Sequence, residues 1–331
     1  MADRPESKAS LPFLRWAGGK RWLARVLSEP LGQVLENSGG RYIEPFLGAG
    51  AMFFALAPTK CILSDTNSEL IKCFEKVRDE PASILSNLRR IPISAKAYYD
   101  VRKSVRKTDT GRAVRFIYLN RTCYGGLYRT NLTGEFNVPY GGGSRTPVAL
   151  WRDGILNGAS RVLKESKCVL RCCDFEKSLG QAREGDVVYC DPTYREMNRG
   201  TFDRYGATIF GWEDQERLTR AAQAAMQRGA IVLVSNSANA ELRELYSTAL
   251  QLKLRRSKTI GNKALSESSH NELLAIFDPH RRTDFWISNL SEQATVVPRS
   301  RKDSESKQDE RFAILLLNFG KRRRLNSVGV L

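Results

Sequence analysis

Histidine is nearly missing from this 331-residue chain, which has only His270 and His280. A zinc site or a histidine-based catalytic set is therefore not expected, and no metal is called for. Seven cysteines, at 61, 73, 123, 168, 172, 173 and 190, include no C-x-x-C pair. Several fall in apolar stretches, where a free thiol acts as a small hydrophobe. That usage predicts a reducing, intracellular (cytoplasmic) setting. No 18-residue apolar run and no N-terminal signal-like segment occurs, so neither membrane spanning nor secretion is predicted. Leu47-Gly-Ala-Gly50 lacks the full G-x-G-x-x-G fingerprint, which disfavours an NAD-dependent oxidoreductase.

Positive charge, by contrast, is in excess. Lys and Arg number 53 against 36 Asp and Glu, a net charge of +17, which points to a polyanionic partner such as double-stranded DNA. Length and composition predict a globular protein of about two structural units. The charge is uneven. Residues 85–165 hold fifteen Lys/Arg against five Asp/Glu, a net of +10. Amphipathic patterns there predict helices over 82–90, 95–105 and 112–119. They are followed by Asn120-Arg-Thr-Cys-Tyr-Gly-Gly-Leu-Tyr-Arg-Thr-Asn-Leu-Thr-Gly-Glu-Phe-Asn-Val-Pro-Tyr140. Its mixture of glycine, aromatics, amides and arginine has no core period and predicts a hairpin or loop that touches a ligand. In it, Arg129 has the fork to read a guanine edge and Arg121 the charge to hold a phosphate.

Around this basic insert, strands and helices alternate, which predicts an α/β fold with a mainly parallel sheet. Strand-like runs cover 41–46, 61–65, 168–172, 186–190, 231–235, 251–258 and 272–277, with helices at about 21–35, 51–57, 69–78, 213–228 and 240–249. Leu47-Gly-Ala-Gly50 between a strand and a helix forms a nucleoside-cradling turn. Glu44 just before it would repel a pyrophosphate and suits a cationic ligand. Asp65, at the end of the next strand, is placed either for ribose hydroxyls or to cap the following helix.

The last strand-end motif is Asp186-Val-Val-Tyr-Cys-Asp-Pro-Thr-Tyr194. A short β-branched strand here delivers a carboxylate (Asp191), a free carbonyl (Pro192) and a ring (Tyr194) to the carboxyl edge of the sheet, where open α/β sheets bind ligands. A planar base with an exocyclic amine fits that corner. Its two N–H groups reach Asp191 and the Pro192 carbonyl, and its ring stacks on Tyr194. The polar stretch 195–211 that follows has the length of a lid.

Four segments, Phe13–Lys20, Glu44–Gly50, Asn120–Tyr140 and Asp191–Tyr194, follow one another in the order found in the Dam-like, D12-class adenine-specific DNA methyltransferases, and the chain resembles that family over about residues 11–278. The resemblance implies a Rossmann-like S-adenosylmethionine-dependent methyltransferase sheet from residues 11–80 and 166–280. It also implies an inserted, mainly helical target-recognition domain at 81–165, and it leaves 281–331 as an extension without a counterpart. By position, Trp16 and Lys20 resemble the segment at the cofactor's methionine end. Glu44, Phe46, Gly48 and Gly50 resemble the S-adenosylmethionine loop, Asp65 the ribose acid, and Asp174 with Phe175 the adenine-ring site. Asp191, Pro192 and Tyr194 correspond to the catalytic tetrapeptide, with Asp191 also at the cofactor. Tyr124, Leu127, Arg129 and Pro139 fall where Dam-like enzymes contact the bases of GATC, and Arg121 and Asn131 in the same basic stretch are further candidate DNA contacts.

The implied reaction is methyl transfer to N6 of a flipped adenine in GATC or a related site, with a cognate restriction endonuclease as a compatible partner. Two departures stand out. Thr193 replaces the family's usual second proline, and Gly125 stands where Dam proper carries an amide, so the resemblance does not fix the recognised sequence. The competing readings are an N4-cytosine methyltransferase, in which the first tetrapeptide residue is more often Ser, and a catalytically silent DNA-binding protein of the same fold.

Overall fold

A computed structural model describes residues 9–16, 18–131, 133–143, 146–192, 210–254, 272–290 and 294–297. After an N-terminal segment come α1 (Arg21–Ser38), β1 (Tyr42–Glu44), α2 (Ala51–Leu56), β2 (Cys61–Asp65) and α3 (Ser68–Asp79). Five helices then interrupt the alternation: α4 (Pro81–Arg89), α5 (Ala95–Lys103), α6 (Asp109–Thr122), α7 (Pro147–Leu150) and α8 (Asp153–Glu165). The alternation resumes with β3 (Val169–Cys172), α9 (Phe175–Leu179), β4 (Val187–Cys190), α10 (Trp212–Gln227), β5 (Ile231–Ser237) and α11 (Ala240–Leu245). It ends with β6 (Leu250–Leu254), β7 (Glu272–Phe277), α12 (Thr283–Leu290) and β8 (Ala294–Val296).

The strands form one sheet in the order β3-β2-β1-β4-β5-β7-β6-β8. The first five are parallel, as the predicted crossovers require. β7 runs antiparallel between β5 and β6, and β8 closes the far edge against β6. Strand order therefore reverses between β1 and β4, and a doubly wound sheet opens its ligand crevice at that switch point, outside the carboxyl ends.

Both faces are covered, which is why the central strands read as continuous apolar runs instead of alternating ones. Tyr42, Leu63, Val187, Tyr189 and Leu233 belong to one cluster with α1, α2 and α3. Ile43, Ile62, Val188, Cys190 and Val234 belong to a second with α9, α10 and α11. The inserted helices have no separate core, because Ile84, Leu88, Phe116, Ile117 and Val162 join the cluster that holds α3. Their ends are set by side-chain caps. Ser94 accepts from the Ala97 N–H at the start of α5, and Thr108 from the Gly111 N–H at the start of α6.

Beyond β7, α12 packs on the core and β8 completes the sheet. Trp286 is fully buried, and its indole N–H donates to Asp278, which also takes two bonds from Arg282. The apolar run 312–319, the basic run 321–324 and most of the predicted 195–211 lid lie outside the described residues. Cys61, which opens β2, and Cys168, which directly precedes β3, are 107 residues apart in sequence and are joined by a disulfide that the spacing did not signal. Cys73, Cys123, Cys172, Cys173 and Cys190 are free thiols.

Candidate functional site

The crevice at the switch point collects the sequence-predicted acids from separate strands. Glu44 ends β1, Asp65 ends β2, and Asp191 follows β4. The glycine loop between β1 and α2 has Gly48 and Gly50 at φ +47° and +67°, a left-handed conformation that glycine adopts without steric cost. At Gly48 a side chain would also meet the Trp16 indole at 3.0 Å, so Trp16 lies directly against the loop. Gly48 N–H and Asn67 N–H both donate to Asp65, at 3.1 and 3.0 Å. Asp65 does not cap α3, because Asn67 does so by accepting from the Leu70 N–H.

Glu44 is 3% exposed. Its Oε2 accepts from the Tyr42 hydroxyl at 2.9 Å. Burial pushes its pKa up to about 8, against the pull of Tyr42 and of the Phe53 backbone N–H at the start of α2, with Asp191 adding repulsion. Burial likewise raises Asp65. A buried acid held in its neutral form is a site for an incoming cation.

Asp191 is differently furnished. Its Oδ1 accepts from the Ser235 hydroxyl at 2.9 Å and lies 3.4 Å from the Lys20 ammonium. Lys20 is 6% exposed and also donates to Glu272 Oε1 at 2.5 Å. Burial raises the Asp191 pKa to about 6, with Lys20 and Ser235 opposing the rise and Glu272 adding to it. Glu272 is itself raised by burial. Anchoring Oδ1 leaves Oδ2 for a ligand donor. Pro192 is buried beside it, while Thr193 and Tyr194 lie outside the described residues. Ser235 and Glu272 were missed by the sequence reading. Ser235 follows the apolar run of β5, beside β4, and Glu272 opens β7, the next strand out, and a lone polar residue at the edge of an apolar run was their only signal.

Phe46 stacks on Phe175 at 5.4 Å and meets Phe210 edge-on at 5.6 Å, forming an apolar wall. Asp174 caps α9 and pairs with Arg217 at 3.0 Å, and that guanidinium covers the outer face of Phe175 at 4.8 Å.

The Asn120–Tyr140 stretch is a hairpin, bridged at Cys123 with Tyr140 and at Thr130 with Phe136. Tyr124 (64% exposed), Leu127 and Pro139 are on its surface. Arg129 Nε donates to Asn137 Oδ1 at 2.8 Å, which fixes the guanidinium plane. Asn131 is turned inward instead. Its Oδ1 accepts from Thr133 and Glu135 N–H groups and closes the tip. Arg121 is half-buried beside Leu150, Trp151 and Arg152. Next to the hairpin, Arg102, Arg106, Arg112, Arg115, Tyr128 and Asn137 line a groove of about 530 Å³. Among the described residues no cluster of His, Cys, Asp or Glu could hold a metal ion, and no helix is long and apolar enough to cross a membrane.

A doubly wound sheet with a glycine loop, strand-end acids and an Asp-Pro corner at its switch point defines a Rossmann-like methyltransferase, here with a basic helical insert after α3. Residues 16–260 match the family described as D12 class N6 adenine-specific DNA methyltransferase. The chain belongs to that family and is an adenine-specific DNA methyltransferase. It is 34% identical over 274 residues to the type II methyltransferase M1.LlaDCHI of Lactococcus lactis subsp. cremoris, covering 80% of this chain and 94% of that protein. It is 36% identical over 250 residues to the type II methyltransferase M.MjaIII of Methanocaldococcus jannaschii, covering 70% and 85%. With the DNA adenine methylase of Escherichia coli K12 it shares 32% over 279 residues, covering 82% and 97%. Membership sets aside the N4-cytosine and oxidoreductase alternatives.

Proposed function

We propose that the switch-point crevice binds S-adenosylmethionine beside a flipped adenine, and that Asp191 and the Pro192 carbonyl hold the adenine amine in line for transfer. The residues fit such a cofactor. Glu44 is a buried acid with no cationic partner among the described residues, Asp65 suits ribose hydroxyls, and Phe46 with Phe175 gives a flat apolar wall. When bound, S-adenosylmethionine supplies an electrophilic methyl group on a sulfonium.

The observation that carries the reading is the anchoring of Asp191 Oδ1 by Ser235 and Lys20. It holds one carboxylate oxygen, and Oδ2, which has no hydrogen bond among the described residues, is the atom proposed for the amine. The adenine amine is a poor nucleophile because its lone pair is delocalised into the ring. Donating both N–H groups, to Oδ2 and to the Pro192 carbonyl, tilts the nitrogen towards a pyramidal geometry, so that its lone pair leaves conjugation with the ring and points at the methyl to be accepted. Orientation and charge stabilisation then lower the barrier without a strong base. As positive charge develops on the nitrogen, the Asp191 carboxylate faces it and is placed to take up the released proton. Extruding the base costs roughly a few kcal/mol, which stacking on Tyr194 would offset.

The hairpin is the proposed reader of the target, by Tyr124, Leu127, Arg129 and Pro139, with GATC or a related site as the target class. Arg121 is the proposed phosphate contact. A type II relative makes a cognate endonuclease a partner to test genetically. Asp191→Ala should abolish labelled-methyl transfer to DNA while S-adenosylmethionine binding, followed by calorimetry, stays within a fewfold of wild type. Near-normal turnover would refute the assignment, and an inactive wild-type protein would favour the silent DNA-binding reading.

A further inference from the structure

The segment from Arg15 to Lys20 touches three functional parts of the molecule at once. At its start, Asn120 near the end of α6 clamps the Arg15 backbone reciprocally. The Arg15 N–H donates to Asn120 Oδ1 at 2.8 Å, and Asn120 Nδ2 donates to the Arg15 carbonyl at 2.7 Å. Asn120 is 1% exposed, so these two bonds satisfy an amide that would otherwise be costly to bury. Gly126 in the hairpin packs so closely here that a Cβ would sit 2.6 Å from Arg15 Cβ. One residue on, the Trp16 indole stacks on Tyr128 of the hairpin, with centroids 5.6 Å apart and planes 13° off parallel. The indole's other contact is the cofactor loop at Gly48. A bond from the Gly19 N–H to the Trp16 carbonyl, 3.1 Å, ties Trp16 to the turn that ends in Lys20. Lys20 then reaches Asp191.

We propose that Tyr128 and Asn120 are positioning residues that hold the Arg15–Lys20 segment, so that seating of the hairpin on its target DNA sets where the Lys20 ammonium stands against Asp191. The proposal rests on the reading of Asp191 as the acid that holds the adenine amine. Neither residue needs to touch a base or the cofactor for this. Tyr128 contributes a flat face to Trp16, and its ring also packs against Phe116 of α6 and Phe136 of the hairpin. The hairpin is thus braced, through Trp16, on the cofactor loop. When Tyr128 is removed, Trp16 loses one of its two faces and Lys20 its fixed approach. The groups facing Asp191 are Lys20 ahead of α1, Ser235 on β5, Glu272 on β7, Tyr189 on β4 and Glu44 on β1. Lys20 is the cation among them, so its displacement moves the ionisation of Asp191 towards higher pH.

The test uses the full chain and unmethylated plasmid DNA. The methylated site is mapped first with wild-type protein, and a duplex carrying that site then serves for kinetics. Tyr128→Leu should lower kcat at least tenfold while DNA affinity, measured by fluorescence anisotropy, changes less than threefold. The acidic limb of its kcat–pH profile should shift upward by at least half a pH unit. Tyr128→Phe, which keeps the stacked ring, should restore kcat to within about threefold and return the limb to its wild-type position. Thermal melting and circular dichroism of both variants establish that they are folded. Should Tyr128→Leu not fold, Asn120→Ala, which removes both bonds to the Arg15 backbone without adding charge, carries the same expectations. The proposal is overturned by a loss confined to DNA affinity with kcat and the limb unmoved, or by Tyr128→Phe being as impaired as Tyr128→Leu. Wild-type protein that methylates no DNA would overturn the functional reading itself, and the proposal with it.

Discussion

If Glu44 receives positive charge from the methyl donor, cofactor affinity must depend on pH in a way that its surroundings fix. Glu44 is buried with its proton favoured up to about pH 8. A cation binding beside it requires the ionised form, so binding expels that proton. Between pH 6 and 7 the ionised fraction of a group with that pKa rises from about 1% to about 9%, which makes affinity about tenfold tighter, or about 1.4 kcal/mol. The ligand's own ammonium stays protonated over this range. Asp191, raised to about 6, goes from half ionised to about 90% and contributes at most about twofold, so the two acids are separable by magnitude alone. Isothermal titration calorimetry of S-adenosylmethionine at both pH values, in buffers of different ionisation enthalpy, reads both the affinity and the number of protons released. Wild type should release close to one proton at pH 7, and Glu44→Gln should bind with little pH dependence. A wild-type affinity that changes twofold or less, or a Gln variant that keeps the tenfold gain, would refute the pairing of Glu44 with a cation.

The same acid sets the stability of the ligand-free protein. Its folded pKa of about 8 lies above the ordinary 4.5, so its stabilising contribution is present below pH 4.5 and lost as pH rises towards 8. The loss is at most about 1.4 kcal/mol per pH unit. Urea unfolding across that window should show a flatter dependence for Glu44→Gln, and an unchanged slope would contradict it. On the recognition side, Arg129→Ala should relax sequence choice at one base pair by about 1–3 kcal/mol. Competition between duplexes differing at single positions measures this, and uniform weakening on every duplex would reduce Arg129 to a phosphate contact.

Much of the fold is readable in the chain because it depends on local pattern. The runs at 61–65, 231–235 and 272–277 are apolar without alternation, as strands covered on both faces must be, and each became a strand. The three predicted helices of the insert also formed, with Ser94 and Thr108 marking the starts of two. What stayed hidden depends on pairings across long stretches of sequence. Lys20 meets Glu272 across 252 residues, and Arg15 meets Asn120 across 105. Neither pair has a local spacing to betray it. Asn131 was placed among the DNA contacts by its position in a basic hairpin, yet its amide is occupied in closing that hairpin. An Asn two residues before a turn Thr is a signal for such closure. The edge strand at 294–296 is only three residues long, too short for any periodicity to register.

Glu44 and Asp191 sit at the ends of neighbouring parallel strands, and Asp191 raises the proton affinity of Glu44, yet the two are pushed to different values. Burial raises both, although the Asp191 side chain is 24% exposed and Glu44 only 3%. The rest of the difference lies in what each is given: Asp191 has an ammonium and a hydroxyl on one oxygen, whereas Glu44 has a phenol and one backbone N–H. At neutral pH the first is therefore mostly an anion and the second mostly an acid. Two carboxyl groups held apart in this way do different jobs in one crevice. In the proposed arrangement the anion accepts N–H bonds from a neutral amine without help from the ligand, while the acid ionises only when a cation arrives to compensate it. Were both fully ionised, their repulsion would oppose placing donor and acceptor side by side. Were both neutral, neither would hold its ligand. Lys20 is the group that sets this asymmetry, and its position is fixed by the segment that also carries Trp16.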